Sequence, residues 1–197
     1  MKICLFGGSF DPVHEGHCGV AQRAVAHCGL DRVVFLPCAQ SPLKDAPPFL
    51  SDADRLMLLN LALKRYPWAA VDDLDLSLPK PSWTWRLVAS WSRLHPGHEL
   101  FWLMGSDQWE EFEQWGRPDY LARHLTFIVH HRGNVPSPRK GVRAVFVEGR
   151  HPAASSAVRA MLAAGEPVPP GWLHPAVARY LASRTSCEAS SRPAGEP

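Results

Sequence analysis

The sequence predicts an α/β protein, a doubly wound parallel sheet of five to six strands with helices on both faces. Three observations lead there. Short apolar runs alternate with stretches of helical spacing along most of the chain, the order that builds a parallel sheet with crossover helices. One run, Glu99 to Met104 (ELFWLM), is almost continuously apolar, as a strand covered on both faces must be. A chain of 197 residues, 46% of them hydrophobic, can also bury one sizeable core without disulfide staples.

Taken in order, Lys2 to Phe6 (KICLF) reads as a buried first strand, and helical spacing sets in from Cys18 (CGVAQRAVAHC). Arg32 to Pro37 (RVVFLP) is a second strand. The segment Cys38 to Leu50 (CAQSPLKDAPPFL) is too rich in proline for regular structure and predicts a surface loop carrying Lys44. Ser51 and Asp54 cap a helix with Leu56, Leu59 and Leu63 on one face. Ala69 to Leu76 reads as a strand, Trp83 to Leu94 as a helix, and the central strand from Glu99 ends at Gly105-Ser106-Asp107. Asp107 to Tyr120 is a short helical region broken by Gly116 and Pro118, and strands follow at Leu125 to His130 and Val142 to Val147. One helix starts at Ser155 and a last one spans Pro175 to Ser183. From Thr185 the chain is small and polar (TSCEASSRPAGEP), which predicts a loose tail over 185–197. With no repeat and no linker, residues 1–184 form a single domain.

Composition excludes several classes of function. A formal charge of +2 and a pI near 8.3 leave no broad basic field for nucleic acid, although Arg and His can still build a local anion site. Five cysteines without a C-x-x-C pair argue for reduced thiols in a cytoplasmic protein. The N-terminal apolar run is far short of the ~20 residues a membrane-spanning helix needs. His130 and His131 follow a strand without the partner spacing of metal ligands and read as strand-end residues, so no metal-ligating set is predicted.

The stretch FGGSFDPVHEGHCG, Phe6 to Gly19, lies at the first strand-to-helix junction. It has neither the G-K-[ST] of a P-loop nor a G-x-G-x-x-G fingerprint. Gly7 and Gly8 remove side chains where a ligand must approach the backbone, and Pro12 stiffens the loop. His14 and His17, three apart, can face one way at a helix N-terminus. Free amides and the helix dipole favour anions there, so two imidazoles beside them suit a phosphate that gains charge during a reaction. Later, Ser155-Ser156-x-x-Arg159 reads on its own as a capped helix start with a forked cation one turn on. Trp83 and Trp85, two apart at a helix start, cannot face the same way.

Gly8 to His17 spells G-x-F-x-P-x-H-x-G-H and closely resembles the signature of the nucleotidyltransferase superfamily that contains nicotinate mononucleotide and pantetheine-phosphate adenylyltransferases. The resemblance runs from about Lys2 to Leu181. Ala153 to Arg159 (AASSAVR) falls in the register of the second signature, I-S-S-T-x-I-R, with Ala153 for an aliphatic residue, Ala154 for the first serine and Ser156 for threonine. Gly7 to His14, Pro81-Ser82-Trp83-Thr84, Gly105-Ser106-Asp107 and Trp115 resemble the nicotinate branch.

The resemblance implies a Rossmann-like fold and adenylyl transfer from ATP to nicotinate mononucleotide, giving nicotinate adenine dinucleotide and pyrophosphate in NAD biosynthesis. By it His14, His17 and Arg159 are catalytic, and Gly7, Gly8, Ser9, Phe10, Lys44, Gly105, Asp107, Ser155 and Ser156 join them around ATP, with Asp107 on the ribose. Ser9, Phe10, Lys44, Thr84 and Trp115 surround nicotinate mononucleotide, Trp115 stacking on the pyridine ring and Thr84 near its carboxylate. Mg²⁺ arrives with ATP, and a homo-oligomer is compatible with the family. The alternatives are a small-substrate adenylyltransferase of the pantetheine-phosphate type and a nucleotide-binding sensor that has lost turnover.

Overall fold

The computed structural model describes residues 1–42 and 46–190, so Lys44 and residues 191–197 lie outside the described residues. Six strands form one parallel sheet: β1 (Lys2–Gly8), β2 (Arg32–Pro37), β3 (Ala69–Val71), β4 (Glu99–Gly105), β5 (Thr126–His131) and β6 (Ala144–Glu148). Their order is β3-β2-β1-β4-β5-β6, with β1 paired to β2 on one side and β4 on the other. The chain winds one way from β1 to β3 and the other way from β4 to β6. This is the Rossmann-like arrangement that the apolar runs predict, and it leaves a crevice at the carboxyl ends of β1 and β4 where open sheets bind ligands.

The two-residue period of each strand divides the core. Cys4, Val33, Phe35, Phe101, Leu103 and Ile128 face α1 (Glu15–Cys28), α2 (Asp52–Leu63), α7 (Ser155–Ala164) and α8 (Pro175–Ser190). Their neighbours Leu5, Val34, Leu36, Trp102, Met104 and Phe127 face α4 (Thr84–Leu94), α5 (Ser106–Glu110) and α6 (Pro118–His124). Every inner strand is therefore apolar on both faces, which is why the alternation is invisible as a polar pattern in the sequence.

Four elements differ from the sequence reading. The strand expected over Ala69 to Leu76 stops at Val71, because the Asp72 carboxylate accepts from Leu74 N (2.9 Å) and Trp91 Nε1 (3.1 Å) and turns the chain into the short helix α3 (Leu74–Ser77). Helix α1 begins at Glu15 rather than Cys18, placing His17 inside its first turn. In α2, Leu58 is buried while Leu56 is only half-buried, so the inward face is rotated from the expected stripe. Helix α8 runs on to Ser190, beyond both its expected end at Ser183 and the expected start of the tail.

The segment after β1 is held from outside. Arg55, wholly buried in α2, donates from Nη1 to Ser9 O (2.8 Å) and from Nη2 to Asp52 (2.6 Å). The buried Asp11 carboxylate accepts from Phe49 N (2.7 Å) and Leu50 N (2.9 Å). Ser155 Oγ donates to Pro12 O (3.0 Å) and Arg159 Nη1 to Asp11 O (2.6 Å). Replacing Arg55 with leucine keeps apolar bulk but removes the donor to the half-buried Ser9 carbonyl, and should lower the urea-unfolding free energy by about 1–3 kcal/mol. Asp52→Asn, at the exposed end of the ion pair, should cost less than about 1 kcal/mol. Equal losses would mean that the guanidinium works through the ion pair and not through the loop.

Candidate active site

His14 and His17 form the centre of the site. His14 is the N-cap of α1, in extended conformation, and Glu15 N–H donates to Trp172 O (2.8 Å) as the helix begins. The His14 amide donates to His17 Nδ1 (3.2 Å), and the two rings stack with centroids 3.8 Å apart and planes 29° apart. That bond makes Nδ1 of His17 the acceptor, so a neutral His17 carries its proton on Nε2. His14 is only 8% exposed and its Nδ1 has no partner among the described residues. Burial, with His151 and Arg132 adding positive charge nearby, pushes the His14 pKa down to about 4, so the imidazole is neutral at physiological pH. Gly16 between the histidines cannot carry a side chain, since a Cβ there would sit 2.8 Å from His14 Cε1.

These histidines line a cavity together with His130, Arg132, His151, Ala154, Ser155, Ser156 and Arg159. It lies between the N-termini of α1 and α7 and the end of β5, and among the described residues no carboxylate lines it. The serines of α7 do not cap the helix as expected: the N-cap is Ala154, which has no polar side chain, and Ser155 spends its hydroxyl on Pro12 O. Arg159 commits one nitrogen to Asp11 O and keeps a third of its side chain exposed toward the cavity. The site thus gathers imidazoles, guanidinium groups and helix amides around one space, a receptor for a polyanion.

A second cavity opens at the carboxyl ends of β1 and β2 and is lined by Gly7, Gly8, Ser9, Ser82, Trp83, Thr84, Trp102 and Trp115 among others. Gly7 is required by close approach, since a Cβ there would lie 2.6 Å from the Trp102 ring. Trp115 meets Trp102 edge to face at 6.3 Å, and its buried Nε1 has no partner among the described residues. Thr84 is the first residue of α4, so that helix presents its N-terminal amides to the cavity. Ser82 Oγ accepts from Ala39 N (3.0 Å) and Gln40 N (3.2 Å), fixing the chain beyond β2 against this helix start. Asp75, 2% exposed, accepts from Ala39 N (3.3 Å), and burial pushes its carboxyl pKa up.

The cavities do not collect every residue singled out in the sequence. Phe10 is 1% exposed, packed against Phe6, Phe35 and His17 beneath the loop. Gly105 and Asp107 stand at the end of β4 but line neither cavity. Of the two tryptophans at the start of α4, Trp83 lines the second cavity, while Trp85 lies under the guanidinium of Arg117, 5.0 Å away. His130, Arg132 and His151 join the cationic cavity, although the sequence reading leaves His130 as a strand-end residue and passes over the others. Asp75 and Trp102 likewise join the aromatic one. The available signal was position: His130 lies at the carboxyl end of β5, as Gly8 does in β1, at the sheet edge where ligands bind.

Comparison with known proteins agrees with this architecture. Residues 5–164 match the cytidylyltransferase-like family. A protein of Neisseria meningitidis serogroup B named "Probable nicotinate-nucleotide adenylyltransferase" is 34% identical over 91% of this chain and 95% of its own length. One of the same name from Methylacidiphilum infernorum is 36% identical over 68% of this chain, and the match spans 66% of that relative's length. Among solved structures, Plasmodium falciparum nicotinic acid mononucleotide adenylyltransferase complexed with NaAD superposes with a TM-score of 0.75 at 20% identity, covering 93% of this chain and 95% of the other. The chain belongs to the cytidylyltransferase-like family, beside the bacterial proteins named for nicotinate-nucleotide adenylyl transfer.

Proposed function

We propose that the protein transfers the adenylyl group of Mg-ATP to the 5′-phosphate of nicotinate mononucleotide. The observation that carries this reading is that one segment serves two unlike cavities: Gly7 to Ser9 line the aromatic one, His14, Gly16 and His17 the cationic one. A pyridine nucleotide suits the first. Its electron-poor ring matches the Trp115 face, and its carboxylate matches the amides at the start of α4. A triphosphate suits the second.

In the reaction an oxygen of the mononucleotide phosphate bonds to the α-phosphorus of ATP, the bond from that phosphorus to the bridging oxygen breaks, and pyrophosphate leaves with the electron pair. The attacking group is already an anion at neutral pH, so no enzyme nucleophile or base is required. The protein's work is to align two anions that repel and to hold the charge that builds on the transferred and leaving groups. His17 Nε2–H and Arg159 are the donors placed for this, with the amides at the starts of α1 and α7. Because no described residue lining the cationic cavity is a carboxylate, Mg²⁺ would keep phosphate and water ligands, as it does when it enters with ATP.

The first test is pyrophosphate release from purified protein with Mg-ATP and nicotinate mononucleotide, nicotinamide mononucleotide or phosphopantetheine in parallel. Release with nicotinate mononucleotide is expected, and turnover only with phosphopantetheine, or with none of the three, would overturn the assignment. His17→Ala should lower kcat by at least ~100-fold with a smaller change in KM, as the loss of a transition-state donor does. A raised KM at constant kcat would remove His17 from that role. Trp115→Ala should weaken nicotinate mononucleotide binding by about 0.5–2 kcal/mol and leave ATP binding alone, whereas equal weakening of both would make Trp115 a structural residue.

A further inference from the structure

We propose that His151 is a polyphosphate-binding residue of the cationic cavity, supplying from Nε2 the side-chain donor that the start of α7 lacks. The assignment rests on the reading of that cavity as the ATP site. Its ground is local geometry. At the N-terminus of α7 the N-cap is Ala154, with nothing to offer an anion but backbone, and the Ser155 hydroxyl is turned away to Pro12 O at 3.0 Å. Just ahead of the helix, His151 lines the same cavity as His14, His17 and Arg159.

The His151 ring is already set for donation. Its Nδ1 accepts from Ala153 N at 3.1 Å, which places the proton of the neutral ring on Nε2. A neutral imidazole in this tautomer donates to a phosphate oxygen without first being protonated, and the same device orients His17 through the His14 amide. The two sides of the cavity meet over Gly16, where a Cβ would lie 2.8 Å from His14 Nδ1 and 3.4 Å from His151 Nδ1. His14, buried with Nδ1 unpartnered, marks the space between them as one made for an acceptor. The groups facing His151 across the cavity are His14, His17, His130, Arg132 and Arg159; among the described residues no carboxylate lines the cavity, and the Asp11 carboxylate pairs with Arg159 from behind it at 3.7 Å. The depressed basicity of His14 has His151 as its largest electrostatic cause, in keeping with the two rings sharing one field.

The rival role is structural: His151 could serve only to hold the turn through Ala153 N. Two variants separate the roles. His151→Asn keeps a side-chain oxygen able to accept from the amide two residues on but loses the Nε2 donor, while His151→Ala loses both. Binding of inorganic tripolyphosphate and of adenosine is measured by calorimetry for wild type and both variants, with Tm of the free proteins alongside. Expected is a loss of tripolyphosphate affinity of about tenfold or more in both variants, the scale of a hydrogen bond to a charged group, with adenosine affinity unchanged. If His151→Asn binds tripolyphosphate as tightly as wild type, the assignment is overturned, whatever His151→Ala does. Wild-type protein that turns over while His151→Asn retains full tripolyphosphate affinity would sink only the role of His151. Wild-type protein that binds tripolyphosphate through His151 but releases no pyrophosphate with any acceptor would sink the reaction and leave the binding residue standing.

Discussion

The contact between Arg159 and the Asp11 carbonyl, 2.6 Å across 148 positions of sequence, closes the molecule around its first loop. The residues between β1 and α1 have little hydrogen bonding of their own, and one of them, Phe10, sits at φ +46°, a left-handed conformation unfavourable for a bulky side chain. Such a loop keeps its shape only if its surroundings over-determine it. Arg55 from below, the Asp11 carboxylate toward the proline-rich segment, and Ser155 with Arg159 from α7 together do so. The Phe10 ring, buried against Phe6 and Phe35, anchors the same loop from within. The two signature segments are therefore one structural unit, and the side chains that α7 brings to the cationic cavity are positioned by the loop that leads to His14.

That unit also explains why the cationic cavity is built largely from neutral donors. Among the described residues, four histidines and two arginines line it without a carboxylate. Were all of them charged in the empty state, their repulsion would oppose folding. Burial above all, with Arg132 nearby, keeps His14 unprotonated, while backbone amides hold Nδ1 of His17 and of His151, which leaves the proton of each neutral ring on Nε2. An incoming polyanion then meets aligned dipoles at little reorganisation cost, which is the arrangement that stabilises charge appearing during a reaction. The same anion would raise the proton affinity of His14 by supplying the opposite charge that the empty site lacks.

Much of the fold was legible because buried parallel strands are uninterrupted apolar runs. Arg32–Pro37 has the bounds expected of it, and Glu99–Gly105 extends the expected strand by one residue. Misreadings occurred where a polar side chain took a backbone partner that spacing does not reveal. Asp72 ended β3 early by accepting from Leu74 and Trp91, and Ser155 reached across to Pro12 instead of capping its own helix. Within the site, His14 and His17 announced themselves by adjacency in a loop. His130, Arg132 and His151 did not, since only the pairing of β5 with β4 and β6 brings their ends of the chain to α1.

The Ala153-Ala154 pair shows how a departure from a motif can be absorbed without loss of the site. Ala153 is 2% exposed, so a small residue fills its place in the core, and its amide is the group that fixes the His151 ring. Ala154 leaves the N-cap bare, but the same turn carries an imidazole to the cavity two residues ahead of Ala153. A hydroxyl donor on the helix and an imidazole donor just before it are chemically exchangeable for binding phosphate, because both offer one neutral hydrogen. What the anion requires is a donor in that space rather than a particular residue in that register, and the geometry of the turn before α7 meets the requirement from a position that the motif does not specify.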